Sequence, residues 1–161
     1  LFVVACWTGL RFGDWKDLSE AEINNDTMVV HTHKTNTTVV IPLHPMVKAI
    51  LTKYNGKLPK SVDKTHTLKQ IRKCAELAGI SEHISLSRVK GGQSVIKRGE
   101  KHQFLMNHTA RRSFATNMYL RGVPSISIMA ITGHTTEANF LKYIKVDKLQ
   151  HAKIVAQAFA Q

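Results

Sequence analysis

HTARRSFATNMYLRGVPSISIMAITGHTTEANFLKY, running from His108 to Tyr143, is the stretch around which the rest of the chain is organised. It opens with His108 and Arg111 three positions apart and closes with Tyr143 nine positions after His134. Residues i and i+3 share one face of a helix, so the imidazole and the guanidinium can project into one site. Gly122 and Pro124 break the run into short helices. Helices that fold back on one another bring His134 and Tyr143 to the place where His108 and Arg111 point. Such a set of groups suits a phosphodiester.

The totals agree with that chemistry. A chain of 161 residues fits a single domain (1–161), and a chain of that length buries roughly two thirds of its unfolded surface. It carries 23 Lys and Arg against 11 Asp and Glu, a formal net charge of +12. An excess of that sign points to a polyanionic partner, nucleic acid before membrane. No apolar run approaches the roughly 18 residues of a membrane span, and no signal peptide is visible. The first residue is Leu1 rather than Met, and Leu1 to Leu10 reads as the interior of an apolar helix, so a piece of a longer protein is expected. Cys6 and Cys74 lack CxxC spacing and fall in apolar helical patterns, which predicts buried, reduced thiols of a cytosolic protein.

Upstream of the opening stretch, Gly9 predicts the end of the first helix and Arg11 follows it. Phe12 to Leu18 has helical spacing, with Asp14 three positions from Arg11, where it can buttress the guanidinium. From Ile23 the period changes to two. Thr27 to Thr32 and Thr37 to Ile41 are rich in β-branched residues and predict an antiparallel hairpin with Lys34, Thr35 and Asn36 at its turn. His31 and His33 share a strand face, but no third ligand is spaced to complete a metal site. A helix is expected over His44 to Tyr54, a loop over Asn55 to Asp63, and a helix from a Thr67–Gln70 capping box to about Ala78, with Leu68, Ile71, Cys74, Ala75 and Leu77 in the core. Leu86 to Glu100, turning at Gly91-Gly92, reads as a second hairpin or an ordered basic loop. Within the opening stretch and just before it, Met106, Phe114, Met118, Ile126, Ile128, Met129 and Ile131 are core candidates. A last helix over Val146 to Ala160 has an apolar stripe of Leu149, Ile154, Val155 and Phe159. The fold class that follows is α+β, mostly α-helical, with a small antiparallel sheet or hairpin on one side.

Transesterification at a phosphodiester needs a nucleophile, positive charge on the nonbridging oxygens and an acid for the leaving alkoxide. Tyr143 can be the nucleophile, Arg11 and Arg111 can each fork onto phosphate oxygens, and Lys34 can protonate the leaving oxygen. Arginine keeps its charge, whereas a lysine crowded by other cations surrenders a proton more readily. His108 can hydrogen-bond or take a proton, and His134 can donate to a nonbridging oxygen, a preorganised contact worth on the order of 3 kcal/mol in a transition state. No carboxylate cluster suggests a Mg²⁺ site, so metal-independent chemistry with no cofactor is expected. Arg88, Lys90, Lys97, Arg98, Arg112 and Lys142 are candidates for holding a DNA backbone without reading sequence.

Five motifs stand in order along the chain: TGLR at Thr8 to Arg11, HKT at His33 to Thr35, HTAR at His108 to Arg111, TGH at Thr132 to His134 and LKYIKV at Leu141 to Val146. In these the chain resembles the catalytic domain of tyrosine recombinases, the phage-integrase family, and looks most like the branch carried by conjugative transposons. The resemblance implies a DNA breaking-rejoining fold. It implies strand cleavage and rejoining through a covalent 3′-phosphotyrosyl intermediate, for integration or excision of a mobile element. Carried over at the matching positions, Arg11, Lys34, His108, Arg111 and His134 surround the phosphate and Tyr143 becomes linked to it. Gly13 stands where this branch more often has serine. Family members have an N-terminal core-binding domain and a first catalytic-domain helix that are not in this sequence. The implied partners are double-stranded attachment-site DNA, further copies of the protein in a tetrameric synapse with the last helix donated in trans, and accessory DNA-bending proteins. The implied setting is the bacterial cytoplasm. Two other readings stand beside this one: a helix-turn-helix DNA-binding module built on residues 120–143, and a type IB topoisomerase using the same tyrosine chemistry.

Overall fold

The computed structural model describes residues 1–61 and 63–159. They form two compact units, one made of Leu1–Ser61 with His108–Gln161, the other of Val62–Asn107. Among the described residues there are eight α-helices and two small antiparallel sheets, the mostly helical α+β class that the periodicity predicts.

In the first unit α1 (Phe2–Thr8) ends on Gly9 in the left-handed conformation, φ 68°, and the Gly9 N–H donates to Ala5. The chain then turns into the short α2 (Phe12–Trp15). Helical spacing out to Leu18 predicts a longer helix than forms. Strands β1 (Glu22–Ile23), β2 (Thr27–Thr32) and β3 (Thr37–Pro42) make a sheet in the order β1-β2-β3, one strand more than the expected hairpin. Alternation puts Met28, Val30, Val39 and Ile41 on its buried face, with Met28 opposite Ile41 and Val30 opposite Val39. Helix α3 (Pro45–Lys53) starts where proline fits best, at its first position, with His44 Nδ1 accepting from the Met46 N–H.

The second segment of this unit supplies α5 (Thr109–Leu120), α6 (Ser125–Thr132), α7 (Glu137–Leu141) and α8 (Lys148–Phe159). Helix α1 packs on α5, and α6 packs on α5, α7 and β3. Phe114, Ala115, Ile128 and Phe140 form the core of this segment, with Met118, Met129 and Ile131 packed against it. Ile126 is 77% exposed. It lies two residues from Ile128 on a helix, and so faces nearly the opposite way. On α8, Leu149, Val155 and Phe159 are exposed as well.

The second unit holds α4 (Lys64–Leu77), the hairpin β4 (His83–Lys90) and β5 (Gln93–Glu100), and a 3₁₀ turn at Lys101–Phe104. The hairpin is the expected one, turning on Gly91 and Gly92, both at positive φ. Helix α4 begins one turn earlier than a Thr67 cap predicts, because the Asp63 carboxylate accepts from the Thr65 and His66 N–H groups. Ile71 and Ala75 are buried there, but Leu77, Cys74 and Met106 are exposed. Cys74 is therefore not the buried thiol its pattern suggests, and Cys6 is only half-buried.

Gly9 serves both backbone and packing. A Cβ there would lie 2.5 Å from Phe114 Cδ1 and 2.8 Å from Thr132 Cγ2, besides sitting at positive φ. Gly9→Ala is expected to lower stability by about 2–4 kcal/mol. Gly13→Ala, with nothing within 4 Å of the added carbon, should stay within about 1 kcal/mol of wild type. Urea denaturation midpoints measure both, and an unshifted Gly9→Ala midpoint contradicts the close packing of α1 on α5.

Candidate active site

All six residues expected to surround a phosphate lie in the first unit. Arg111, in the first turn of α5, is only 1% exposed. Its Nη1 donates to the Gly9 carbonyl at 2.8 Å, and its Nη2 lies 3.0 Å from His134 Nε2 and 3.2 Å from Nδ1. Arg11 caps α2 in an extended conformation, and its Nη2 donates to the Gly133 carbonyl at 3.2 Å. Gly133 ends α6 in the left-handed conformation, φ 64°. Each arginine thus ends on a carbonyl at a helix C-terminus, where the helix dipole favours a cation. Arg11 Nη1 and Arg111 Nε are buried and have no acceptor among the described residues. An unpaired buried donor costs about 1–3 kcal/mol, so both N–H groups suit an anionic oxygen.

Tyr143 comes to the same place within its own chain. Its hydroxyl lies 2.6 Å from His108 Nε2, and the Arg111 guanidinium carbon is 5.4 Å from its ring centroid. The His134 ring meets the Tyr143 ring edge-on at 4.7 Å and the Phe140 ring at 5.6 Å. Desolvation lowers the pKa of His108, and the charges of Arg111, Arg112, Arg11 and Lys34 lower it further. His134 is pushed down to about 3, first by burial and then by Arg111, Arg11 and His108. Both imidazoles are therefore neutral near pH 7. Burial and Arg11 likewise pull the Arg111 pKa down, while the Tyr143 side chain raises it. The group stays a cation at neutral pH.

Lys34 stands at the exposed tip of the β2–β3 hairpin, close enough for its charge to act on His108. The tip is held by a threonine cluster: Thr32 Oγ1 donates to the Thr37 carbonyl at 3.0 Å and lies 2.8 Å from Thr35 Oγ1. Asp14 was expected to buttress Arg11, but its Oδ1 instead accepts from the His33 N–H at 2.9 Å. Among the described residues it forms no ion pair with Arg11. The i, i+3 rule fails here because Arg11 is the extended cap and its side chain leaves the helix face. Asp14 serves the site from the other end, tethering the residue before Lys34. His31 is engaged by Thr38 and Asn36.

Of the candidate backbone contacts, Arg112 and Lys142 are exposed in the first unit, with Lys142 donating to Asn139 at 2.9 Å. Lys97 and Arg98 are exposed on β5 of the second unit. The side chains of Arg88 and Lys90 lie outside the described residues. The sequence reading missed the carbonyls of Gly9 and Gly133 and the hydroxyl of Thr132. The glycines in TGLR and TGH signal helix ends, yet only the fold shows which guanidinium each carbonyl receives.

Comparison with known proteins places this geometry. Residues 1–150 match the Phage integrase family. The tyrosine recombinase XerC of Rickettsia typhi is 25% identical over 158 residues, covering 96% of this chain and 48% of the relative. XerC of Rickettsia prowazekii matches to the same extent, so the chain spans about half the length of these relatives. Among solved structures, XerA recombinase has a TM-score of 0.69 at 17% identity, over 97% of this chain and 56% of that one. The Tn1549 transposon integrase in complex with transposon right end DNA has a TM-score of 0.62 at 15% identity, over 99% and 58%. These likenesses are of fold. Taken with the match over nearly the whole sequence, they show that this chain belongs to the phage integrase family.

Proposed function

We propose that this chain is the catalytic part of a site-specific DNA recombinase that integrates or excises a mobile element by tyrosine-mediated strand transfer. The observation that carries the reading is the Tyr143 hydroxyl set 2.6 Å from a neutral His108 beside the buried Arg111 and the half-buried Arg11. Tyr143 Oη attacks the phosphorus, its proton passes to His108 Nε2, and the bond to the 5′ oxygen breaks. Lys34 Nζ supplies the proton that the leaving alkoxide needs. Arg11 and Arg111 neutralise the nonbridging oxygens with donors already in place, and His134 donates to one of those oxygens. The product is a 3′-phosphotyrosyl link and a free 5′ hydroxyl. Attack by a 5′ hydroxyl reverses each step and returns the proton to the phenolate, so rejoining needs no nucleotide cofactor.

Duplex DNA is the substrate this chemistry requires. One of the matched structures is XerH bound to palindromic difH substrate in a post-cleavage complex, with a TM-score of 0.64. The formal charge of +12 suits a DNA backbone, with Lys97, Arg98, Arg112 and Lys142 as positioning contacts. The exposed stripe of α8 supports the family's arrangement, in which the last helix docks on a neighbouring copy in a tetrameric synapse. A helix-turn-helix module leaves the Tyr143–His108 bond unexplained, and a topoisomerase is separated by failure to join two duplexes at a defined site.

A nicked suicide duplex, from which the cleaved fragment diffuses away, should trap a covalent protein–DNA adduct. Lys34→Ala should slow that step, and a 5′-bridging sulfur should restore it, because a thiolate leaves without an acid. Failure of the sulfur to rescue assigns the acid to another group. Since the folded pKa of His108 lies below the usual value of about 6.5, the base stays unprotonated under mildly acidic conditions. Cleavage rate should hold as pH falls through 6.5 and drop only below it, and a fall already complete at 6.5 contradicts His108 as the base.

A further inference from the structure

Helix α7 ends at Leu141, two residues before the tyrosine, so its hydrogen-bond ladder does not carry Tyr143. Two local bonds shape the turn that follows, from the Tyr143 N–H to the Phe140 carbonyl at 2.8 Å and from the Ile144 N–H to the Leu141 carbonyl at 3.1 Å. They set the form of the turn but not its place on the neighbouring helix. Thr116 supplies that tie. Its hydroxyl donates to the Tyr143 carbonyl at 3.2 Å and accepts from the Lys145 N–H at 3.4 Å, across 27 and 29 residues of chain. A carbonyl only accepts and an amide N–H only donates, so the proton and a lone pair of one hydroxyl serve both without conflict. Tyr143 and Ile144 also pack against the core of Phe114, Ala115, Ile128 and Phe140.

Thr116 stands on α5, the helix that carries His108 at its N-cap and Arg111 in its first turn. One helix therefore meets the tyrosine at both ends, its phenol through His108 and its backbone through Thr116 about two turns further on. We propose that Thr116 is a positioning residue that fixes the Tyr143 segment on α5, so that the phenol hydroxyl is delivered to His108 and to the attacked phosphate. The delivery to phosphate rests on the strand-transfer reading above. Without the hydroxyl, a part-buried carbonyl and an amide lose their shared partner and turn toward water, and the segment moves with them. Thr116→Val keeps the branched shape of the side chain and removes the hydroxyl. Thr116→Ser keeps the hydroxyl and removes the methyl. The pair separates hydrogen bonding from packing.

Nuclear Overhauser contacts of the Tyr143 ring with the His108 and His134 rings, whose centroids lie 5.0 and 4.7 Å away, read the placement without DNA. Wild type and Thr116→Ser are expected to show them, and Thr116→Val to lose them. A purely structural role would leave these contacts in place in a folded Thr116→Val protein. On saturating nicked duplex, Thr116→Val should slow adduct formation by up to about a hundredfold, the cost of misplacing a reacting group by about 1 Å. Its DNA affinity should be unchanged, and Thr116→Ser should recover most of the rate. Ring contacts retained in Thr116→Val, or a wild-type rate once they are lost, overturns the proposal. If Thr116→Val does not fold, Thr116→Ala against Thr116→Ser makes the same comparison in a smaller side chain, and the same outcomes decide. If the ring contacts respond as expected but wild type forms no adduct, strand transfer fails while the placement by Thr116 stands.

Discussion

Two arginines from distant parts of the chain each hold the carbonyl that ends a helix of another motif, Arg111 that of Gly9 in TGLR and Arg11 that of Gly133 in TGH, and the site depends on these contacts. Arg111, from the later segment, donates to Gly9 beside Arg11, and Arg11 donates to Gly133 beside His134. The contacts span 102 and 122 residues of chain. Each satisfies part of a guanidinium at the negative end of a helix and leaves other N–H groups directed elsewhere. A lysine could not replace either, because a single ammonium lacks the planar fork that ties to a carbonyl and still presents donors to a ligand. Gly9 permits these contacts by its positive φ and by having no Cβ where Phe114 and Thr132 close in.

Burial first, and then the charges of Arg111 and Arg11, keep both histidines neutral, with Lys34 adding to the effect on His108. The same positive charge suits a phosphate oxygen placed between the guanidiniums. The β2–β3 hairpin brings the lysine by a separate route, through Asp14 and the Thr32, Thr35 and Thr37 contacts at its tip. His108 and Lys34, the proposed base and acid, are thereby held by different parts of the fold.

Much of this was legible in the sequence, in an uneven way. The strands of the first sheet follow from alternating β-branched residues, and α1 and α3 from their glycine and proline signals. The gathering of the six site residues followed from motif order. Contacts that depend on side-chain direction were not legible. Asp14 is three residues from Arg11, yet it meets His33 because Arg11 precedes the helix. Ile126 could not be told from Ile128, since α6 is short and apolar nearly all round, so periodicity marks no face. The start of α4 turned on a choice between Asp63 and Thr67 as caps, both of suitable type, and the carboxylate at Asp63 prevailed.

The claim on which the rest stands is that Tyr143, among the chain's three tyrosines, is the nucleophile. Peptide mapping by mass spectrometry of an adduct trapped on the protein's own attachment-site DNA tests it most directly. The account predicts a nucleotide joined through its 3′ phosphate to the peptide containing Tyr143. A nucleotide on Tyr54 or Tyr119, or a link through a 5′ phosphate, would contradict it.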